Sequence, residues 1–362
     1  MTKRVLHFQG RMGLGGAESF MMNLYRKIDR SKYQFDFLIY DDYKEVTDYH
    51  EEVKSLGGRF FIVTNPKKNI FKYLVEVNKL LKSETFDIVH NEVYFGGGIN
   101  LWLAKRNGIV KRIAHSHSVE DGKGNSIIFR VLRFFLTKLL LSTATDYLAV
   151  SEKAGKSLFK DTPFIIVHNG IDLSLYTKNQ DRINEMKNNL KIINSSVIIG
   201  TVGRLEKEKN HFFLFNVFNE INRIDPDSKL LIIGDGSLRK QLQSYIDERG
   251  LSEKILLLGN RRDIPDMLAI LDVFVMTSYY EGLPMAALEA QASKKKLVLS
   301  EGVSKETKLT PNVTFISLGL SKSEWAQKIL QKPYENKMTK ELNSYNVDYT
   351  LRQMLKVYEL TE

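Results

Sequence analysis

Short apolar runs alternate with stretches of helical spacing along most of this chain, and the series runs twice. The first series contains KRVLHF, the Gly-rich QGRMGLGGAE and the helical SFMMNLYRKI, then YQFDFLIY, DYHEEVKSLG and RFFIV. It continues through NIFKYLVEVNKLLKSE, FDIVH, INLWLAKRNG, KRIAHSH and DYLAVS. Strands buried on both faces read as continuous apolar runs, and parallel strands need a crossover helix between them. The expected fold class is therefore α/β, with a parallel, doubly wound sheet. A polar stretch, YTKNQDRINEMKNNLKIINSS, interrupts the pattern. It restarts at VIIGTVG and runs through KLLIIGDG, SLRKQLQSYIDERG, KILLLGN, IPDMLAIL, DVFVMT and KLVLS. A chain of 362 residues exceeds one average core. Two doubly wound domains are expected, over residues 1–165 and 166–345, with a last helix at about 346–362 able to pack back on the first. Facing domains of this type enclose a cleft at the carboxyl ends of their strands, where ligands bind.

Charge and cysteine usage narrow the chemistry. There is no cysteine, which excludes a disulfide framework, a thiolate metal site and a catalytic thiol. Apolar runs never reach the length of a membrane span, and Val5 to Phe8 is too short for a signal-peptide core. The expected location is cytoplasmic. A net charge of +10 points to an anionic partner: nucleic acid, a membrane surface or a phosphorylated small molecule. No nucleic-acid motif is present, so no nucleic-acid partner is expected. Between Gly122 and Thr145 there is no acidic residue, while Lys123, Arg130, Arg133 and Lys138 occur. At about 100° per residue, Ser126, Arg130, Arg133, Thr137 and Lys138 share one helix face. A basic amphipathic helix over 126–142 suits an anionic membrane surface. It suits equally a helix packed on its own domain with its arginines in water.

Four loops carry candidate chemistry. GRMGLGGAE fails the dinucleotide fingerprint, because Glu18 stands where a third small residue belongs, and it fails the P-loop pattern because no lysine follows Gly15 and Gly16. A Gly-rich turn into a helix N-terminus remains, which can bring backbone N–H groups to a ligand or simply make a tight turn. In RIAHSH, His115 and His117 lie two apart and hence on one side of a strand. With no cysteine and no third ligand nearby, zinc is not expected there. In VGRLEKEKN, Arg204 and Lys209 follow a strand end, a placement that suits a diphosphate or solvated surface charge. In EGLPMAALE, Pro284 is suited to the first helical position, with Glu281 before it and Glu289 inside the helix. The two carboxylates can hold hydroxyls at either end of a ligand whose phosphates meet the helix N-terminus.

Together these segments resemble the retaining glycosyltransferase family 4, of the GT-B fold with two Rossmann-like domains, in its bacterial capsular and exopolysaccharide branch. The resemblance rests on GGAE, RIAHSH, VHNGID, VGRLEKEKN, IIGDGSLRKQL, LLGNRRDIPDML and SYYEGLPMAALEAQAS, in that order. It implies that Glu289 binds the ribose of a nucleotide-sugar and Glu281 the transferred sugar. Arg204 and Lys209 would grip the donor diphosphate, and His117, or else His115, would sit near the sugar. Gly15, Gly16, Gly203, Gly282 and Leu283 would line the donor, and Asn260 and Arg261 would meet the base. Glu18 is a further candidate for sugar or acceptor contact. No metal and no cofactor beyond the co-substrate are implied.

The implied reaction moves a sugar, expected from a UDP-sugar, to a polyprenyl-diphosphate-linked glycan acceptor at the inner face of the cytoplasmic membrane. The other readings are a soluble transferase using a small-molecule acceptor and a non-catalytic GT-B partner subunit. One departure is plain. Lys294, Lys295 and Lys296 stand where the family has Gly, an apolar residue and Pro.

Overall fold

The computed structural model describes residues 2–117, 126–177, 179–333 and 339–359, so Lys123 and residues 360–362 of the last helix lie outside the described residues. Residues 1–171 with 344–362 form one compact unit, and residues 172–343 form a second. The first holds β1 (Lys3–Gly10), β2 (Tyr33–Tyr40), β3 (Phe60–Val63), β4 (Ile88–Asn91), β5 (Lys111–Ser116), β6 (Asp146–Ala149) and β7 (Ile165–Ile166). All paired strands run parallel, in the order β3-β2-β1-β4-β5-β6-β7.

The second unit repeats the plan. Its strands are β8 (Ile198–Val202), β9 (Lys229–Ile233), β10 (Ile255–Leu257), β11 (Val273–Met276), β12 (Lys296–Ser300) and β13 (Val313–Ile316). They are again parallel, in the order β10-β9-β8-β11-β12-β13. In both sheets the strand order reverses beside the first strand, between β1 and β4 and between β8 and β11. Ligands of doubly wound sheets bind outside the carboxyl ends of the strands at such a reversal.

Alternation along each strand feeds two cores per sheet, one on each face. In the first unit Val5, Phe35, Phe37, Ile88 and Ile113 pack on one face, and Leu6, Phe8, Leu38, Val89 and Ala114 on the other. The last helix, Val347–Tyr358, inserts Val347, Met354, Val357 and Tyr358 into the first of these cores. Ile171 and Asn346 form a parallel bridge that brings the chain back.

The three lysines that replace the family's turn act as helix caps. Lys294 follows the helix Met285–Ala292 at φ 57°, the left-handed conformation a glycine adopts without strain. Lys295 Nζ donates to the carbonyls of Ala269 and Leu271, both at 2.7 Å, at the end of the helix Ile264–Ile270. Lys296 Nζ donates to Lys328 O at 2.6 Å, Ile329 O at 3.0 Å and Gln331 O, at the end of the helix Lys322–Leu330. A cation there meets carbonyls that have no partner within their own helix, and the negative end of its dipole. Burial, with Lys328 nearby, pulls Lys296 down to about 8. Lys296→Met is expected to lower unfolding free energy by about 2 kcal/mol, read by urea denaturation. Because the folded value lies below that of the unfolded chain, the wild type binds fewer protons when folded, between about pH 8 and the ordinary lysine range. Its stability advantage over the variant is therefore expected to grow as pH rises through that window.

Candidate active-site residues

In the second unit the loops after β8 and β11 are stitched together. Tyr279 N–H donates to Glu208 O at 2.8 Å, and Thr277 Oγ1 donates to the carbonyls of Lys209 and Asn210 at 3.2 and 3.1 Å. Asn210 turns the chain at φ 56°, and the helix His211–Ile224 starts beyond it. This turn sets Lys209 Nζ in contact with the Glu281 carboxylate, with Ser278 Oγ donating to the same oxygen at 3.2 Å. Both side chains keep 16% exposure, so the pair is half-desolvated yet open to a ligand. Gly203 lies beneath the Lys209 stem, since a Cβ there would stand 3.6 Å from Lys209 Cε. Arg204 is more exposed and pairs with Glu208 at 3.2 Å.

The backbone of Glu281 is held from the strand next door. Its N–H donates to Gly302 O at 3.0 Å, and its carbonyl accepts from Ser304 N–H at 2.9 Å. A Cβ on Gly302 would meet Tyr279 O at 2.2 Å, so only glycine lets the loop after β12 lie against this one. Sequence reasoning passed over Gly302, whose signal is a glycine just past a strand end.

Glu289 does not pair with Glu281. It lies in the helix Met285–Ala292, with the Tyr176 hydroxyl near enough to act on its ionisation. Burial pushes the Glu289 carboxyl up to about 6, the neighbouring Tyr176 opposing the shift. Tyr176 went unnoticed as one aromatic in a polar, aperiodic stretch. Pro284, expected at the first helical position, caps the helix instead, at φ −72° and ψ 118°, because its extended ψ keeps it outside the helical ladder. Gly282 is exposed with no atom within 4 Å of a Cβ placed on it, and Leu283 is half-buried. Asn260 is exposed, while the Arg261 guanidinium donates to Asp263 at 2.8 and 2.5 Å.

In the first unit the carboxyl end of β5 carries His115 and His117, their rings 4.1 Å apart on one side as the alternation requires. The expectation that no third ligand lies nearby is corrected here. Glu92, just past β4, accepts from His117 Nε2–H at 2.5 Å, and its other oxygen lies 3.3 Å from His7 Nδ1 and 3.2 Å from His90 Nε2. His7, His90 and Glu92, or Glu92, His115 and His117, stand within metal-ligand spacing of one another. Parallel neighbours separated by tens of residues bring them together, which spacing within one strand does not reveal. Glu92 had one legible signal, an acid directly after a buried strand. Glu18 folds back over Gly15, where a Cβ would meet its carboxylate at 2.2 Å, whereas Gly16 faces open space. Burial raises the Glu18 carboxyl, opposed by local backbone N–H groups, Arg11 and His117.

Two families match this arrangement over most of the chain: Glycosyltransferase Family 4 over residues 14–175 and Glycosyl transferases group 1 over 182–353. EpsF of Bacillus subtilis (strain 168), a glycosyltransferase by name, is 32% identical over 99% of this chain and 97% of its own. The chain belongs to glycosyltransferase family 4. A second relative, the UDP-Gal:alpha-D-GlcNAc-diphosphoundecaprenol alpha-1,3-galactosyltransferase of Escherichia coli, is 29% identical over 82% of this chain and 79% of its own. Among solved structures, Anabaena HepE in complex with UDP has a TM-score of 0.76 at 17% identity, covering 99% of each chain. This likeness establishes the GT-B fold expected from the sequence. The protein is a glycosyltransferase of polysaccharide-building kin, with two Rossmann-like domains.

Proposed function

We propose that this enzyme transfers a sugar, with retained anomeric configuration, from a UDP-sugar to a polyprenyl-diphosphate-linked glycan during bacterial capsule or exopolysaccharide synthesis. The observation that carries the proposal is the Lys209–Glu281 pair at the ends of β8 and β11, beside the reversal in strand order. Support for the donor comes from the UDP held by HepE, and for the acceptor from the diphosphoundecaprenol in the Escherichia coli relative's name.

In this reading Lys209 and Arg204 hold the donor diphosphate and stabilise the charge it gains as its bond to the sugar breaks. Lys209 already carries a carboxylate partner, so Glu281 keeps it in place while accepting from a sugar hydroxyl. Glu289 and Tyr176 receive the ribose, with Asn260 and the Arg261 loop near the base. Backbone N–H groups at Gly282 and Leu283, ahead of the helix N-terminus, suit phosphate. Gly15 and Gly16, with Glu18 and His117, are the first unit's candidates for contact with sugar and acceptor, while the His115 side chain is fully buried. The acceptor hydroxyl attacks on the face the diphosphate leaves, and its proton passes to a donor phosphate oxygen. No metal is assigned a role.

A screen of UDP- and GDP-sugars for enzyme-dependent nucleotide release tests the reaction. UDP release that requires a polyprenyl-diphosphate glycan is expected. Transfer only to free sugars would replace the acceptor assignment, and release from GDP-sugars alone would replace the donor.

The helix Ile127–Thr143 supports work at the inner face of the cytoplasmic membrane. Ile127, Phe134 and Phe135 are 78, 56 and 63% exposed, beside the exposed Arg130 and Lys138. Arg133, expected in water, stacks on Phe95 and Phe129 at 5.6 Å, because the helix packs that side against its own unit. An apolar strip flanked by cations fits anionic lipid. Flotation with anionic vesicles is expected to carry the wild type. The pair Arg130→Glu and Lys138→Glu is expected to stay behind, and equal flotation of both would sink the membrane assignment.

A further inference from the structure

The carboxyl end of the first sheet gathers more ionisable groups than the reaction above employs. His7 on β1 faces His90 on β4 in register, and the His90 and His115 rings stack at 5.3 Å. The Glu92 side chain, 1% exposed, lies at the centre of the row. His7 Nδ1 and His90 Nε2 approach one carboxylate oxygen, and His115 Nδ1 at 3.6 Å and His117 Nε2 at 2.5 Å approach the other. The far nitrogen of His90, Nδ1, meets the Tyr358 hydroxyl at 2.9 Å.

Two arrangements of protons are compatible with this spacing, and the outer nitrogens choose between them. A metal ion in the row would take the inner lone pairs and leave the outer nitrogens protonated. Metal-bound imidazoles donate that outer N–H to a partner. Here His7 Nε2, His115 Nε2 and His117 Nδ1 are all buried without a hydrogen-bond partner among the described residues, so a metal would leave three buried donors unsatisfied there. With the Tyr358 hydroxyl donating to His90 Nδ1, the His90 Nε2–H faces the carboxylate and His115 Nδ1 at 3.2 Å, while His7 Nδ1–H and His117 Nε2–H turn inward to the carboxylate and leave the outer nitrogens of those two rings as bare lone pairs. The charges agree. Burial holds His7 and His115 below the ordinary histidine range and His90 down to about 3, so these three rings are neutral. Burial alone would raise the Glu92 carboxyl, but the imidazoles around it hold it well below the carboxylate range.

We propose that Glu92 is the positioning residue for His117: its carboxylate takes the Nε2–H of His117 and so fixes the tautomer and the plane of a ring whose exposed part, 11% of the side chain, meets the sugar being transferred. The second half rests on the proposed function, in which His117 meets that sugar. His117 then orients the sugar as a ring held in one plane, and does not bind metal. His7, His90 and His115 hold the carboxylate in place from the other sides, and Phe20 packs edge-on against His117 at 5.5 Å.

Long-range proton–nitrogen NMR on the full chain, labelled with nitrogen-15 histidine, reads the tautomer directly. The chain has seven histidines, and the His117 signals are those lost in His117→Ala. The wild type is expected to show His117 protonated at Nε2 alone. In Glu92→Gln, whose amide can donate as well as accept, part of the population is expected to move its proton to Nδ1. In kinetics, Glu92→Gln is expected to lower kcat about 10²-fold with little change in donor KM, as loss of orientation does. The same change made in His117→Ala is expected to have no further effect, and Glu92→Asp to restore part of the rate. A His117 proton on Nδ1 in the wild type, additive losses in the double variant, or zinc retained in stoichiometric amount would each overturn the proposal. Should Glu92→Gln fail to fold, the wild-type spectrum still decides. If no glycosyl transfer is found, the function assigned to the protein fails, while the tautomer measurement continues to test Glu92.

Discussion

Lys209→Ala is expected to lower kcat by about 10²- to 10³-fold, roughly 3–4 kcal/mol of barrier, with a smaller rise in donor KM. Negative charge builds on the departing diphosphate, so a cation fixed in advance stabilises the transition state more than the bound donor. The lysine is fixed in advance: the turn at Asn210 and the Thr277 hydroxyl set its backbone, and Glu281 holds its ammonium. The variant also leaves Glu281 without its cation, so lost rate must be separated from lost structure. Adding Glu281→Gln to Lys209→Ala removes the unpaired charge. It is expected to restore thermal stability without restoring rate. A kcat within threefold of wild type in a folded Lys209→Ala would remove Lys209 from the reaction.

Glu289→Ala is expected to weaken UDP binding about 30-fold, or about 2 kcal/mol, by isothermal titration calorimetry at pH 7.5. A charged acceptor for ribose hydroxyls is lost. Glu289 also makes binding depend on pH. Its carboxyl sits at about 6 in the free protein, above its ordinary value, so it gains a proton as pH falls through 6. The protonated acid is a weaker acceptor, and wild-type affinity is expected to fall there. UDP phosphate titrates in the same range, but that contribution is common to both proteins and cancels in their ratio. The wild-type advantage over Glu289→Ala should therefore shrink between pH 7 and pH 5. A constant ratio would show that Glu289 does not hold the nucleotide through its charge.

Much of the fold was legible because each strand needs two apolar faces and each parallel crossover needs a helix, so two short-range periods repeat throughout. The loops around Lys209 and Glu281 were legible because chemistry-bearing residues in a doubly wound sheet stand just past strand ends. What the sequence hid depends on distance along the chain. The Lys209–Glu281 contact spans 72 residues and the His90–Tyr358 contact 268, and neither separation has a local signature. Glu92 follows a strand that reads only as core, and its importance lies in the histidines that neighbouring strands deliver. Tyr176 belongs to a turn with no period at all. The lysines at 294–296 read as a lost turn, because the carbonyls they cap belong to two other helices.

The return of the chain to its first unit has a consequence for how the protein is made. The core that supports the histidine row contains Val347, Met354, Val357 and Tyr358, which leave the ribosome after every residue of the second unit. The second unit can close while the first still lacks a helix, and His90 has no Tyr358 hydroxyl until the second unit has been made. The first unit is thus completed only after the second has been made, and its buried carboxylate gains its last support with the helix Val347–Tyr358.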